Sequence, residues 1–258
     1  MKRNIVNFVI ISQPRSGSTW LRLMLSKHPQ VCCFGEVFGI NKVIGLNFER
    51  YRRWGESSIA VRQRLFLQRS TNPMKFYRRD VLKNRWAVNQ LVREVHPKQA
   101  VVGFKLLYHQ LEYWKQVKRA IKKDQSLYII HLIRENKLKQ FISQKLHRKR
   151  GRKLIKADGP TPSYVKIRVD LEEFETWSKS MIAQENRVNR WLSGKSFLYS
   201  LSYETLVSDK DHHLSQLQAF LKLTREELEE SLQKVNSDNL RDMITNYHEV
   251  RGAFGHYF

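Results

Sequence analysis

The sequence predicts a three-layer α/β domain with a central, mostly parallel sheet flanked by helices. Three observations predict it. Short, nearly continuous apolar runs rich in β-branched residues recur along the chain, as expected for strands covered on both faces. Stretches of helical periodicity lie between them, and strands alternating with helices build parallel sheets. No internal repeat and no Gly/Ser- or Pro-rich linker divides the 258 residues, so one domain over 1–258 is expected.

The elements follow in order. Phe8 to Ile11 is the first strand, and Trp20 to Lys27 a helix after it. The opening Met1-Lys2-Arg3-Asn4 before Ile5–Ile11 has the order of a signal peptide. The run is short, Asn7 interrupts it, and no small-residue cleavage site precedes Pro14 and Arg15, so a buried strand is the better reading. Val101 to Phe104 is the second strand, flanked by helical patterns over Arg78–Val95 and Leu107–Lys123. Leu127 to Ile133 is the third, followed by a helix over Asn136–Arg150. A long amphipathic stretch, Leu171–Leu192, precedes a weaker strand at Phe197–Leu201. Helices are expected over Asp211–Leu221 and Arg225–Val235. Lys149–Tyr164, with two glycines, two prolines and no period, reads as a loop over or near the site.

Composition narrows the function. The net charge of +23 implies an anionic partner, whether nucleotide, nucleic acid, membrane surface or acidic product. Arg134 to Lys156 holds ten Lys and Arg against the single acid Glu135, which admits a basic nucleic-acid-binding protein. No zinc finger, RRM or other nucleic-acid-binding signature accompanies it. No run approaches the ~18 apolar residues of a membrane helix. The two cysteines, Cys32 and Cys33, are adjacent, which precludes an ordinary disulfide between them and reads as two small buried side chains. No Cys/His metal spacing is present, and a disulfide-poor chain suits a reducing compartment, hence the cytoplasm.

The turn after the first strand carries the chemistry. Gln13-Pro14-Arg15-Ser16-Gly17-Ser18-Thr19-Trp20 is a tight turn that opens a helix. Backbone N–H groups at such a helix start, with the positive end of its dipole, attract an anion. Arg15 adds a fork-shaped cationic donor, and Ser16, Ser18 and Thr19 add hydroxyls. The string is not a Walker A loop, because no Lys follows Gly17 and no Gly stands five residues before it. An ATPase, a GTPase or a P-loop small-molecule kinase is therefore disfavoured.

Pro14 to Leu21 resembles the 5′-phosphosulfate loop of sulfotransferases that use 3′-phosphoadenosine-5′-phosphosulfate. Leu132-Ile133-Arg134-Glu135-Asn136-Lys137-Leu138-Lys139-Gln140-Phe141-Ile142-Ser143 is similar to their 3′-phosphate motif, where an Arg at a strand end and a Ser on the next helix hold one phosphate. Gly35-Glu36, Val102 to Leu106, Tyr203 to Leu206 and Ile244 to Arg251 are similar to further segments of the bacterial carbohydrate-type members, such as the trehalose and Nod-factor enzymes. Departures exist. Arg15 stands where cytosolic members usually carry Lys, and Leu107 stands where they place a His two residues after the central Lys. Their C-terminal Arg-Lys-Gly loop is absent, with Arg251-Gly252 a partial substitute.

The resemblance implies a P-loop-like fold and transfer of a sulfuryl group to a hydroxyl of a small molecule: a carbohydrate, glycolipid or secondary metabolite. It implies donor contacts from Arg15, Ser16, Gly17, Ser18, Thr19, Trp20, Arg134 and Ser143, with no metal required. Glu36 is the first candidate base, in an apolar setting expected to raise its pKa. His109 is the second, and Lys105 is a candidate for the sulfate or bridging oxygen. Relatives of this type include dimers, so the resemblance admits a homodimer. Trp54, Phe76, Tyr77 and Trp86 are candidates to stack on the acceptor.

Overall fold

The computed structural model describes residues 4–39, 70–75, 99–150, 165–230 and 236–257. Within them five strands form one sheet: β1 (Asn4–Ser12), β2 (Val31–Phe34), β3 (Gln99–Leu107), β4 (Tyr128–Ile133) and β5 (Leu198–Ser202). Their order is β2-β3-β1-β4-β5 and every pairing is parallel. β1 lies at the centre, with Ile10 opposite Lys105 on β3 and opposite Ile130 on β4. All strand carboxyl ends therefore meet at one edge of the sheet, where loops and helix starts collect.

Both faces of the sheet are buried, which explains the continuous apolar runs. Side chains alternate along β1. Val9 and Ile11 enter one core with Phe34, Phe38, Phe104 and Leu106, while Phe8 and Ile10 enter the other with Leu21, Leu25, Leu132 and Leu217. Each such side chain contributes roughly 1.5–3 kcal/mol on burial. Gly103 makes room for this packing, since a Cβ there would lie 2.3 Å from the Phe8 ring on the neighbouring strand.

Helix α1 (Ser18–Leu25) buries Leu21, Met24 and Leu25, a stripe at helical spacing. The pattern over Leu107–Lys123 forms two helices, α2 (Tyr108–Tyr113) and α3 (Lys115–Lys123). They part at Trp114, whose φ of −93° and ψ of 65° are not helical. Its indole N–H donates to the Phe38 carbonyl at 2.8 Å and its ring packs on Phe38, so tertiary contacts set the break. α4 spans Lys137–Arg150, taking in the start of the expected loop, and α5 spans Leu171–Leu192. α5 starts at Asp170, whose carboxylate accepts from the Glu173 N–H at 2.9 Å.

α6 (Tyr203–Ser208) and α7 (Lys210–Phe220) follow β5 directly. The helix expected over Arg225–Val235 is absent from residues 225–230. There the Gln218 side chain clamps Glu226, donating to its carbonyl at 3.1 Å and accepting from its N–H at 2.7 Å. This holds the non-helical chain against α7 with Leu228 buried in the second core. The C-terminal helix α8 (Tyr247–Ala253) joins a third cluster with Leu138, Phe141 and Phe174 of α4 and α5. Among the described residues no helix is long and apolar enough to cross a membrane.

Candidate active site at the strand carboxyl edge

The turn after β1 is built by its own side chains. Ser16 is fully buried and its hydroxyl donates to the Gln13 carbonyl at 2.8 Å. The hydroxyl expected to face an anion thus closes the turn. Arg15 and Gly17 both take positive φ, 62° and 84°. Gly17 is also pressed by a side chain, because a Cβ on it would lie 2.3 Å from the Tyr203 ring. Ser18 and Thr19 open α1, and the N-cap Gly17 supplies no side-chain acceptor to the first turn. The leading N–H groups of α1 therefore remain available to an anion.

Three further elements bring polar side chains to this turn, two of them cations. From α4, Ser143 accepts a hydrogen bond from Arg15 Nε at 3.1 Å. From the end of β4, Arg134 donates to the Arg15 carbonyl at 3.2 Å and stacks 4.6 Å from the centroid of the Tyr203 ring. From β3, Lys105 donates to the Thr19 hydroxyl at 2.9 Å. The two arginines and Ser143 expected from separate motifs thus converge. Burial lowers the pKa of Arg15 and the nearby Arg134 charge lowers it further. Burial likewise lowers that of Arg134, opposed by Tyr203 and Glu204. Two desolvated guanidinium groups side by side form an environment that an anion relieves.

Glu36 sits across from Lys105. The Gly35 carbonyl accepts from the Lys105 N–H at 3.2 Å, which continues the β2–β3 pairing and sets Glu36 beside Lys105. The ammonium lies 2.9 Å from Glu36 Oε1, and Gln110 Nε2 donates to Oε2 at 2.9 Å. Burial raises the Glu36 pKa, as its apolar neighbours led one to expect. The charge and hydrogen bond of Lys105, with smaller contributions from Gln110 and His109, outweigh it and leave the carboxyl below its ordinary value. Lys105 is itself lowered, chiefly by burial and against the pull of Glu36. His109, on the exposed side of α2, is lowered by burial and pulled back up by Glu36.

Trp20 lies edge-on to Tyr203, with centroids 6.4 Å apart, and packs against the second core. Trp54, Phe76, Tyr77 and Trp86, the helix over Arg78–Val95 and residues 151–164 of the expected loop lie outside the described residues. Among the described residues no group of three or more His, Cys, Asp or Glu clusters as metal ligands would.

Sequence reasoning missed three supports of the site. Gln110 is fully buried, and its other amide atom accepts from the Leu107 N–H at 3.0 Å, so its donor end is fixed toward Glu36. A Gln three residues into a helix start was the available signal. Glu204 accepts from the Glu135 and Asn136 N–H groups at 2.9 and 3.2 Å and lies 3.6 Å from Arg134 Nε. Gln140 donates to the Pro14 carbonyl at 2.8 Å, tying α4 to the turn.

The chain is similar to the structure titled Sulfotransferase Domain from the Curacin Biosynthetic Pathway, at 16% identity, with 87% of this chain and 76% of that one covered and a TM-score of 0.52. It is also similar to a sulfotransferase from Alicyclobacillus acidocaldarius, at 15% identity, with 100% and 93% covered and a TM-score of 0.47. The first likeness supports the three-layer fold. A search of curated proteins gave no match. The model of the sulfotransferase family matches residues 7–227, a span that includes the turn after β1, Glu36, Lys105, Arg134 and Ser143, and the chain belongs to that family.

Proposed function

We propose that this sulfotransferase moves the sulfuryl group of 3′-phosphoadenosine-5′-phosphosulfate to a hydroxyl of a small-molecule acceptor and releases adenosine 3′,5′-bisphosphate. One observation carries the donor reading. Arg15 on the anion-binding turn is hydrogen-bonded to Ser143 through its side chain and to Arg134 through its carbonyl. Two adjoining cationic grips suit a nucleotide with phosphates at both 5′ and 3′ positions. In this reading Arg15, Thr19 and the first N–H groups of α1 hold the 5′-phosphosulfate, and Arg134 with Ser143 holds the 3′-phosphate.

Chemically, a bond forms between the acceptor oxygen and sulfur while the bond from sulfur to the 5′-phosphate oxygen breaks. The leaving electron pair stays on that phosphate oxygen, next to the cations of the turn. The acceptor proton goes to Glu36, with His109 the alternative base. Glu36 is ionised, so it has a site for the proton, though its pairing with Lys105 lowers its basicity in the free protein. In-line geometry and charge stabilisation provide the rest of the rate, as in phosphoryl transfer.

Calorimetry of Arg134→Ala tests the donor assignment. Adenosine 3′,5′-bisphosphate should lose at least tenfold in affinity, in line with about 1.5–3 kcal/mol for a charge-assisted contact. Adenosine 5′-monophosphate should lose little. Equal losses for both nucleotides remove Arg134 from the 3′-phosphate.

A further inference from the structure

Lys105 is held at equal distance by two partners that the reaction would set in competition. Its ammonium lies 2.9 Å from Thr19 Oγ1, at the start of α1, and 2.9 Å from Glu36 Oε1. Thr19 belongs to the anion-binding turn and Glu36 to the loop after β2, so Lys105 spans the gap between the proposed donor and the proposed base. Lys105 is 7% exposed, which leaves it few other partners. We propose that an anion seated on the turn after β1 draws Lys105 away from Glu36, so that donor binding releases the base from its ion pair. The proposal rests on the donor reading above.

The surroundings decide what happens to Glu36 once Lys105 turns. Gln110 of α2 stays on Oε2, fixed by its bond from the Leu107 N–H, so the carboxylate is held in place. The other groups that face this pair are His109 from α2, Arg22 from α1 and Arg15 from the turn. Arg22 is anchored elsewhere, donating to the Cys33 carbonyl at 3.2 Å. Burial is the largest influence on Glu36, and Lys105 is the largest that opposes it. Without Lys105, burial prevails and the nearby anion adds to it, so the carboxylate becomes a stronger base as the donor arrives. In the free protein the same ion pair keeps it weak.

Linkage makes this measurable without an acceptor. If nucleotide binding raises the Glu36 pKa, binding takes up a proton, and a neutral group at position 36 must favour binding. The probe is adenosine 3′,5′-bisphosphate, titrated calorimetrically in buffers of differing ionisation enthalpy between about pH 5 and 7, the range toward which a buried carboxyl moves. Wild-type protein should take up more protons than Glu36→Gln. The difference isolates Glu36, because the nucleotide's own phosphate titration, with a second pKa near ~6, is common to both. At pH 7 Glu36→Gln should bind the nucleotide about tenfold more tightly, one pKa unit being one factor of ten. Lys105→Met should bind it more weakly and show less excess uptake than wild type, because only the anion's own charge is then left to raise the carboxyl.

Should Glu36→Gln fail to fold, the comparison of wild type with Lys105→Met still reads the excess proton. Equal uptake in wild type and Lys105→Met, or affinity unchanged or weakened in Glu36→Gln, overturns the proposal. Uptake as large in Glu36→Gln as in wild type assigns it to groups other than Glu36, such as His109 or the nucleotide itself, and overturns the proposal as well. Selective loss of the 3′-phosphate in Arg134→Ala without any coupled proton leaves the donor reading standing and removes this inference alone. Absence of nucleotide binding to wild type removes both.

Discussion

Arg15 Nε donates to Ser143 Oγ at 3.1 Å across 128 residues of sequence, and this bond joins the turn after β1 to α4. It links the two proposed phosphate sites in one contact. Gln140 reinforces the junction one helical turn earlier by donating to the Pro14 carbonyl. A ligand that engages both motifs meets a surface already assembled, which lowers the cost of ordering side chains on binding.

Ser143→Ala therefore has a specific expected outcome. Arg15 keeps its charge and loses one partner, while on the proposed donor reading the 3′-phosphate loses a hydroxyl donor. Affinity for adenosine 3′,5′-bisphosphate should fall about tenfold, given ~1.5 kcal/mol for a hydrogen bond to a charged group, and affinity for adenosine 5′-monophosphate should change by less than about threefold. Calorimetry with both nucleotides separates the cases. A parallel loss would mean that Ser143 acts only by aiming Arg15.

Much of this edge is legible from sequence because its determinants are local. A β-branched run, a glycine turn and an amphipathic stripe lie within residues 8–25, and each obeys a short-range rule. Arg134 and Ser143 are legible for the same reason, nine residues apart on a strand end and a helix. What escaped is non-local. Val31–Phe34 is a four-residue strand that pairs with β3, a partner about 70 residues away, and its own length gives no period. The pKa direction of Glu36 reverses expectation because Lys105, distant in sequence, sits 2.9 Å from it. Gln110 lies 74 residues from Glu36 and Glu204 lies 69 from Glu135, so no motif scan pairs them. The Arg225 helix failed because the Gln218 clamp outweighs helix propensity, a weak influence beside tertiary hydrogen bonds.

Gly17→Ala is expected to cost stability as well as binding. A φ of 84° strains any L-residue, and the new Cβ meets the Tyr203 ring at 2.3 Å. That ring cannot withdraw freely, since Arg134 stacks on one side of it and Trp20 meets it edge-on. Strain and overpacking together should lower unfolding free energy by roughly 2–4 kcal/mol in urea melts. Adding Tyr203→Ala relieves the steric share only, so part of the Gly17→Ala loss should remain when measured against Tyr203→Ala alone. Full recovery would mean that the backbone tolerates alanine there and that the ring alone requires glycine.

His131 gives a pH dependence whose sign can be worked out. It lies on β4, is 1% exposed, and its Nε2 is hydrogen-bonded to the Tyr108 hydroxyl. A hydroxyl donating to a ring nitrogen requires that nitrogen unprotonated, and burial penalises the charged ring. Burial accordingly pushes the His131 pKa down to about 4 from an ordinary 6.5. Between these values the unfolded chain binds the proton and the folded chain does not. Stability must therefore fall as pH drops from 6.5 toward 4, and level off below the folded pKa. The full span corresponds to about 3 kcal/mol at ~1.4 kcal/mol per unit. Between about pH 5 and 6.5 ordinary carboxylates are still largely ionised, so His131 contributes to the slope there together with His109, whose pKa burial also lowers. Denaturant melts across that window should show wild-type stability declining, and His131→Gln, which keeps an acceptor for Tyr108 but has no proton to gain, should give a flatter profile. Identical slopes in the two proteins would mean that the ring already carries its proton in the fold and that Tyr108 accepts from it.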